Sequence, residues 1–141
     1  MTLERTKDYR RVKNITDQNP IDEQVEWQLV ISSRYIYLVE NDGEKDVGVW
    51  CFEPYEGRYL MHTAMTKDCR GKKAIDSGLN AIGWLFENSE VDAILAPVPK
   101  RLRHAQIIPR RGGLKVHHED DRIRTYIMTR DMYRDKQERL N

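Results

Sequence analysis

The chain has 141 residues and a charged fraction of 33%, yet its 24 basic and 23 acidic side chains leave a formal charge of only +1, so no global field recruits a partner. The length suits a single domain over residues 1–141, and 39% hydrophobic residues suffice for one core. No run approaches the ~20 apolar residues of a membrane span, and the opening stretch Met1 to Asp8 is charged where a signal peptide would be apolar, so a cytoplasmic protein is expected.

Taken in chain order, Tyr9 to Ile15 reads as a first strand. Asn19-Pro20 then reads as an N-cap followed by proline at the first helical position, opening a helix to about Ser32 with Ile21, Val25 and Leu29 on one face. Arg34 to Glu40, Val47 to Phe52 and Tyr59 to Met65 are rich in β-branched and aromatic residues, and turn signals at Asn41-Asp42-Gly43 and Glu56-Gly57 separate them, which predicts a three-strand antiparallel meander. After Arg70-Gly71 the apolar period lengthens. Ile75, Leu79, Ile82 and Phe86 step by four, three and four, the strongest helix signal in the chain.

Val91 to Ala96 reads as a short apolar strand. Pro97-Val98-Pro99 leads into a basic stretch through Arg111 that begins helical and is kinked or ended by Pro109. Leu114 to His118 and Ile123 to Thr129 flank an acidic turn as a last hairpin, and residues 130–141 form a charged tail expected to fray. The sum is seven strands and three helices in an α/β arrangement, a mixed sheet with helices on both faces.

Strand Tyr59 to Met65 feeds the long helix through a basic turn, Arg70-Gly71-Lys72-Lys73-Ala74. Such a junction attracts anions, because the first helical amides are unpaired and lie at the positive end of the dipole. Between Asp92 and Glu119 no acidic residue occurs, while Lys100, Arg101, Arg103, Arg110, Arg111 and Lys115 are basic. This block fits a solvated face, a phosphate, nucleic acid along Lys100 to Lys115, or an acidic protein partner; without aromatic residues it does not suit base stacking.

His117 and His118 precede three acidic residues, but neighbours on a strand point to opposite faces and do not share one ion. Cys51 and Cys69 are too far apart for a Cys-x-x-Cys site, so no metal is expected. Trp27, Trp50 and Trp84 fall on core faces, with Trp50 or Phe52 available to line a cleft.

With the meander, the Arg70-Gly71-Lys72 turn opening a helix, and Gly112-Gly113-Leu114 before the final hairpin, the chain resembles the GNAT superfamily of N-acetyltransferases over about residues 9 to 130. The resemblance implies a central, mostly antiparallel seven-stranded sheet and acetyl-CoA as cofactor. Ala64 and Met65 would pair with pantetheine, Arg70, Gly71, Lys72, Lys73 and Ala74 would cradle pyrophosphate, and His62 would be the general base.

The match has departures. The family pattern Arg-Gly-x-Gly-x-Gly or Ala meets Lys73 and Ile75 at its small positions. Counting back four from Gly113, where the family places a tyrosine acid, gives Pro109, and no Asn lies between Asn88 and Asn141. In plan, and in the run from Ala96 to Lys115, the chain also resembles small GNAT-like proteins of short-tailed phages. That likeness implies a head-assembly or internal virion role through protein contacts, in the host cytoplasm or virion, with weak or no transfer. The alternative it leaves open is an active N-acetyltransferase.

Overall fold

The computed structural model describes residues 1–18 and 32–140. The helix expected from Asn19, with Ile21, Val25, Trp27 and Leu29, lies outside the described residues.

The chain opens with β1 (Thr2–Thr6), which pairs antiparallel with β2 (Ile36–Asn41). Between them Tyr9–Asp17 is not a strand but helix α1. Two local causes decide this. The Asp8 carboxylate accepts from the amides of Arg10 and Arg11, which satisfies two of the orphan donors of a helix start. Val12 and Ile15, three residues apart, are both buried, so the apolar stripe follows a helical period.

β2 continues into β3 (Asp46–Tyr55) and β4 (Arg58–Met65), the expected meander. Its second hairpin closes through Glu56 and Gly57, both at positive φ (48° and 75°), a geometry matched to the right-handed twist of the strands. Helix α2 (Lys72–Asn88) follows, then β5 (Ala93–Pro99), a single 3-10 turn at His104–Gln106, and the short helix α3 (Ile107–Arg111), which contains Pro109. The last hairpin is β6 (Lys115–Glu119) and β7 (Ile123–Thr129). Arg130–Leu140, expected to fray, is helix α4. Tyr133 packs against Phe86 of α2 with ring centroids 5.6 Å apart, and that docking orders the segment despite its charge.

The sheet has seven strands in the order β1-β2-β3-β4-β5-β7-β6, and only the β4–β5 pair is parallel. One face carries Tyr37, Val39, Val49, Cys51 and Ala64 against Val12 and Ile15 of α1. The other carries Leu38, Trp50, Phe52, Met61, Ile94 and Met128 against Ala81, Ile82, Leu85 and Phe86 of α2. Helices thus cover both faces of a mixed sheet, as expected.

Arg11 fastens α1 to the sheet. Its Nε and Nη2 donate to the two carboxylate oxygens of Asp46 at 2.7 and 2.8 Å, and it also pairs with Glu4. The Arg11 hydrogen bonds, helped by the Asn41 amide and opposed by partial burial, hold the Asp46 carboxyl below the usual carboxylate range. A depressed folded-state pKa gives stability that is present above the unfolded value of about 3.9 and lost as pH falls through the folded value. Asp46→Asn is therefore expected to cost about 1 to 2 kcal/mol at neutral pH, and the difference from wild type should shrink in urea melts below about pH 4.

Candidate functional site

The site begins where the two parallel strands part. β4 and β5 are in register only at Tyr59↔Ile94 and Leu60↔Leu95. The Thr66 amide donates to the Val47 carbonyl, and alternation along the ladder then turns the backbones of residues 58, 60, 62 and 64 toward β3 and those of 61, 63 and 65 toward β5. On β5, the Arg130 amide donates to Asp92 and the Lys100 amide to Arg122, so Ile94, Ala96 and Val98 serve β7 while residues 93, 95, 97 and 99 face β4. Two of those four, Pro97 and Pro99, have no N–H to give. Met61 and Thr63 would need donors at residues 97 and 99 to continue a parallel ladder. The ladder stops for that reason, and β4 keeps an open edge.

A cavity of about 640 Å³ fills this gap. Its walls are Leu60 to Thr63 of β4, Ala96 to Pro99 of β5, Ile75, Leu79 and Ile82 of α2, and Ile108 and Pro109 of α3. Trp50 forms part of the wall. Its indole N–H donates to Ser77 Oγ at 2.8 Å, and its ring lies so close to Gly78 that a Cβ there would come within 2.9 Å. Phe52, the other aromatic residue considered for a cleft, is buried in the core, while Trp84 packs at its border.

The basic turn immediately precedes Ile75, the first residue of α2 in the cavity wall. Gly71 adopts φ 60° and ψ −130°, a conformation that penalises any Cβ, and sits at the N-cap of α2. Among the described residues no side chain caps the helix, so the amides of Lys72, Lys73 and Ala74 stand at its positive end without intrahelical partners. Cys69 and Ala74 are buried and anchor the turn, while Arg70, Lys72 and Lys73 are exposed. Lys72 reaches back along the helix to Asp76, 3.7 Å away. Ile75, a departure from the family pattern, points its bulk into the cavity wall. Met65 turns its backbone to the open edge, whereas Ala64, expected beside it as a pantetheine partner, is committed to Val49 of β3.

His62 lies on the face of α1, beside Cys51 of β3, and also borders the gap. Its Nε2 is 2.9 Å from Glu53 Oε1, and the Tyr35 hydroxyl donates to Glu53 Oε2 at 3.3 Å. The neighbouring Cys51 thiol is pushed up to about 12 by burial and then by the Glu53 charge, so it is no thiolate nucleophile near neutral pH. Sequence reasoning missed Glu53 and Tyr35. A two-residue turn at Glu56-Gly57 places Glu53 opposite Leu60, hence diagonal to His62, so the hairpin register held the signal for Glu53. Tyr35 carries no comparable signal.

Elsewhere the expectations divide. Pro109 is buried in the cavity wall where a tyrosine acid was sought, and the Tyr126 hydroxyl, also buried, donates to Gln106 Oε1 and accepts from Arg110 Nε. Within the basic block Arg110 Nε donates to the Tyr126 hydroxyl and Lys100 approaches Glu119 at 3.7 Å, while Arg101, Arg103, Arg110, Arg111 and Lys115 are all exposed. The rings of His117 and His118 do not diverge, because a bulge between Val116 and His118 breaks the alternation and brings their centroids to 5.1 Å. Among the described residues no cluster of three or more metal-ligating side chains occurs. No described helix is long and apolar enough to cross a membrane.

No protein-family model and no curated protein matches the sequence. Solved structures do match. A variant of the spermidine N-acetyltransferase SpeG from Vibrio cholerae superposes with a TM-score of 0.77 at 12% identity, covering 97% of this chain and 99% of that one. The apo form of FdhC, a nucleotide-linked sugar GNAT, gives 0.74 at 12%, covering 98% and 91%. The Campylobacter jejuni N-acetyltransferase PseH in complex with acetyl coenzyme A gives 0.62 at 17%, covering 70% of each chain. The fold is thus that of the GNAT acetyltransferases.

Proposed function

We propose that the protein is an acetyl-CoA-dependent N-acetyltransferase. The observation that carries this reading is the apolar gap between β4 and β5, lined by two prolines and by Ile75 in the first turn of α2, whose N-terminus has no side-chain cap among the described residues. An extended amide-bearing arm fits the gap, since the backbone of Met61, Thr63 and Met65 offers it a strand edge to pair with. The amides of Lys72 to Ala74 and the Arg70, Lys72 and Lys73 charges suit a pyrophosphate at the far end. Acetyl-CoA supplies the acetyl group. At the opposite face His62, held by Glu53, takes the proton of an acceptor amine as its nitrogen attacks the thioester carbonyl. The C–S bond breaks, and with Pro109 in place of a tyrosine the departing thiolate takes its proton from water.

Calorimetric titration of acetyl-CoA at low salt tests the reading. Micromolar binding is expected, weakened about tenfold in Lys73→Glu by loss of one phosphate-facing charge and gain of a repulsive one. Silence up to about 1 mM would overturn it, given that ~1 mM corresponds to only about 4 kcal/mol of binding.

A second reading has its own motive in the proline at position 109, which leaves no tyrosine acid. On it, the chain is a head-assembly or virion protein of a tailed phage that keeps the fold and acts through protein contacts. Acetyl-CoA binding without turnover on any amine would favour it.

A further inference from the structure

The cavity passes through the sheet. Met61 and Thr63 line it from the face of α2, and their neighbours on β4, Leu60 and His62, line it from the face of α1. On β5 the same alternation turns Ala96 and Val98 to α2 and Pro97 and Pro99 to α1, where Ile123 of β7 is the cross-strand partner of Pro99. Leu60, Pro97 and Pro99 are half-buried and Ile123 is 38% exposed, so the α1 side of the cavity has an apolar rim that the core leaves partly open. Among the described residues no carboxylate lines the cavity, and His62 is its one titratable side chain. Glu53, opposite Leu60, is already engaged: Oε1 lies 2.9 Å from His62 Nε2, and Oε2 accepts from Tyr35. Next to the Pro99–Ile123 pair come Lys100 and Arg122, both cationic, with the Lys100 amide donating to the Arg122 carbonyl. A second ammonium on an acceptor would meet no counter-charge in this wall and two cations beside its rim.

We propose that this side of the cavity is the acceptor subsite, that Leu60, Pro97, Pro99 and Ile123 determine its specificity, and that the acceptor is a primary monoamine carried on an apolar group, aryl or alkyl, rather than a polyamine. This rests on the transferase reading, in which the cofactor lies along the α2 side and the acceptor meets the thioester through the gap. The C–N bond forms and the C–S bond breaks at the gap, and the rim touches only the group behind the nitrogen. Proline rings and branched aliphatic side chains offer that group surface to pack on and no polar atom to desolvate.

The test compares ethylamine, hexylamine, phenethylamine and spermidine as acceptors for the full chain at saturating acetyl-CoA. The kcat/KM for phenethylamine and hexylamine is expected on the order of 10- to 100-fold above that for ethylamine, with spermidine no better than ethylamine. Ile123→Glu, at an exposed position, should lower kcat/KM for phenethylamine about tenfold and raise it for spermidine, with acetyl-CoA affinity within about twofold of wild type. A readout independent of turnover is the methyl spectrum of the chain labelled at isoleucine δ1, with coenzyme A present. Phenethylamine should shift the Ile123 signal, assigned by its loss in Ile123→Val, through the ring current. Spermidine preferred to phenethylamine, ethylamine equal to it, selectivity unchanged in Ile123→Glu, or an unmoved Ile123 signal overturns the subsite and leaves the transferase reading standing. Transfer to none of the four although acetyl-CoA binds also overturns the subsite. Absence of acetyl-CoA binding overturns the transferase reading itself, and the subsite with it.

Discussion

His62→Gln is expected to lower kcat for acetyl transfer by about 10²- to 10⁴-fold, the usual worth of a positioned base, while acetyl-CoA affinity stays within about twofold of wild type. The split follows from the two faces of the sheet. The groups proposed to hold the cofactor are the odd-numbered backbone of β4, the α2 and β5 sides of the cavity wall and the amides of α2, and the His62 backbone is turned to β3. Its side chain lies on the other face, with Cys51 and Glu53. Glutamine preserves bulk and still reaches Glu53, so stability changes little. Steady-state kinetics and calorimetry on one preparation check both halves, and an unchanged kcat would move the base to another residue.

The largest stability effect is expected at Arg130. Arg130→Met should cost about 3 kcal/mol and, for a chain of this size, lower Tm by about 10 °C. The guanidinium donates to the carbonyls of Phe86 at 2.7 Å, Ser89 at 2.9 Å and Val91 at 2.8 and 3.2 Å, and its carbon lies 5.0 Å from the Phe86 ring centroid. Phe86 lies in the last turn of α2, Ser89 is its C-cap and Val91 follows, so the cation sits at the end of the helix where backbone acceptors lack partners and the dipole is negative. Methionine keeps the aliphatic stem and abandons three acceptors in a part-buried place. Arg130→Lys should recover only part of the loss, because a point charge cannot satisfy three carbonyls in a fork. A thermal melt of Arg130→Met within about 1 °C of wild type would refute the argument.

The same residue explains why α4 escaped sequence reasoning. In isolation residues 130–140 are a polar, charged stretch without a buried face, and what orders them is distant: the Arg130 clasp on α2, and Tyr133 seated against Gly83, where a Cβ would lie 2.3 Å from its hydroxyl. α2 and the final hairpin were legible because their apolar periods of 3.6 and 2 are local. Tyr9 to Ile15 was misread because Val12 and Ile15 fit a short strand until the Asp8 cap is weighed. For the site, the basic turn and His62 were legible as types of residue in a pattern. The placement of Ala64 against β3 needed the register, and so did Glu53. β5 was read three residues short at its end, since prolines argue against a strand; the argument fails here because both face a gap in which no donor is required.

Those prolines also bear on how quickly a guest enters. A gap that had to be unzipped would charge each arriving molecule the free energy of the broken ladder bonds and would hold association behind an opening step. With no donor at residues 97 and 99, there are no such bonds to break at those two positions. The edge of β4 stands ready before anything arrives, and association is governed by encounter and by the charge of the turn.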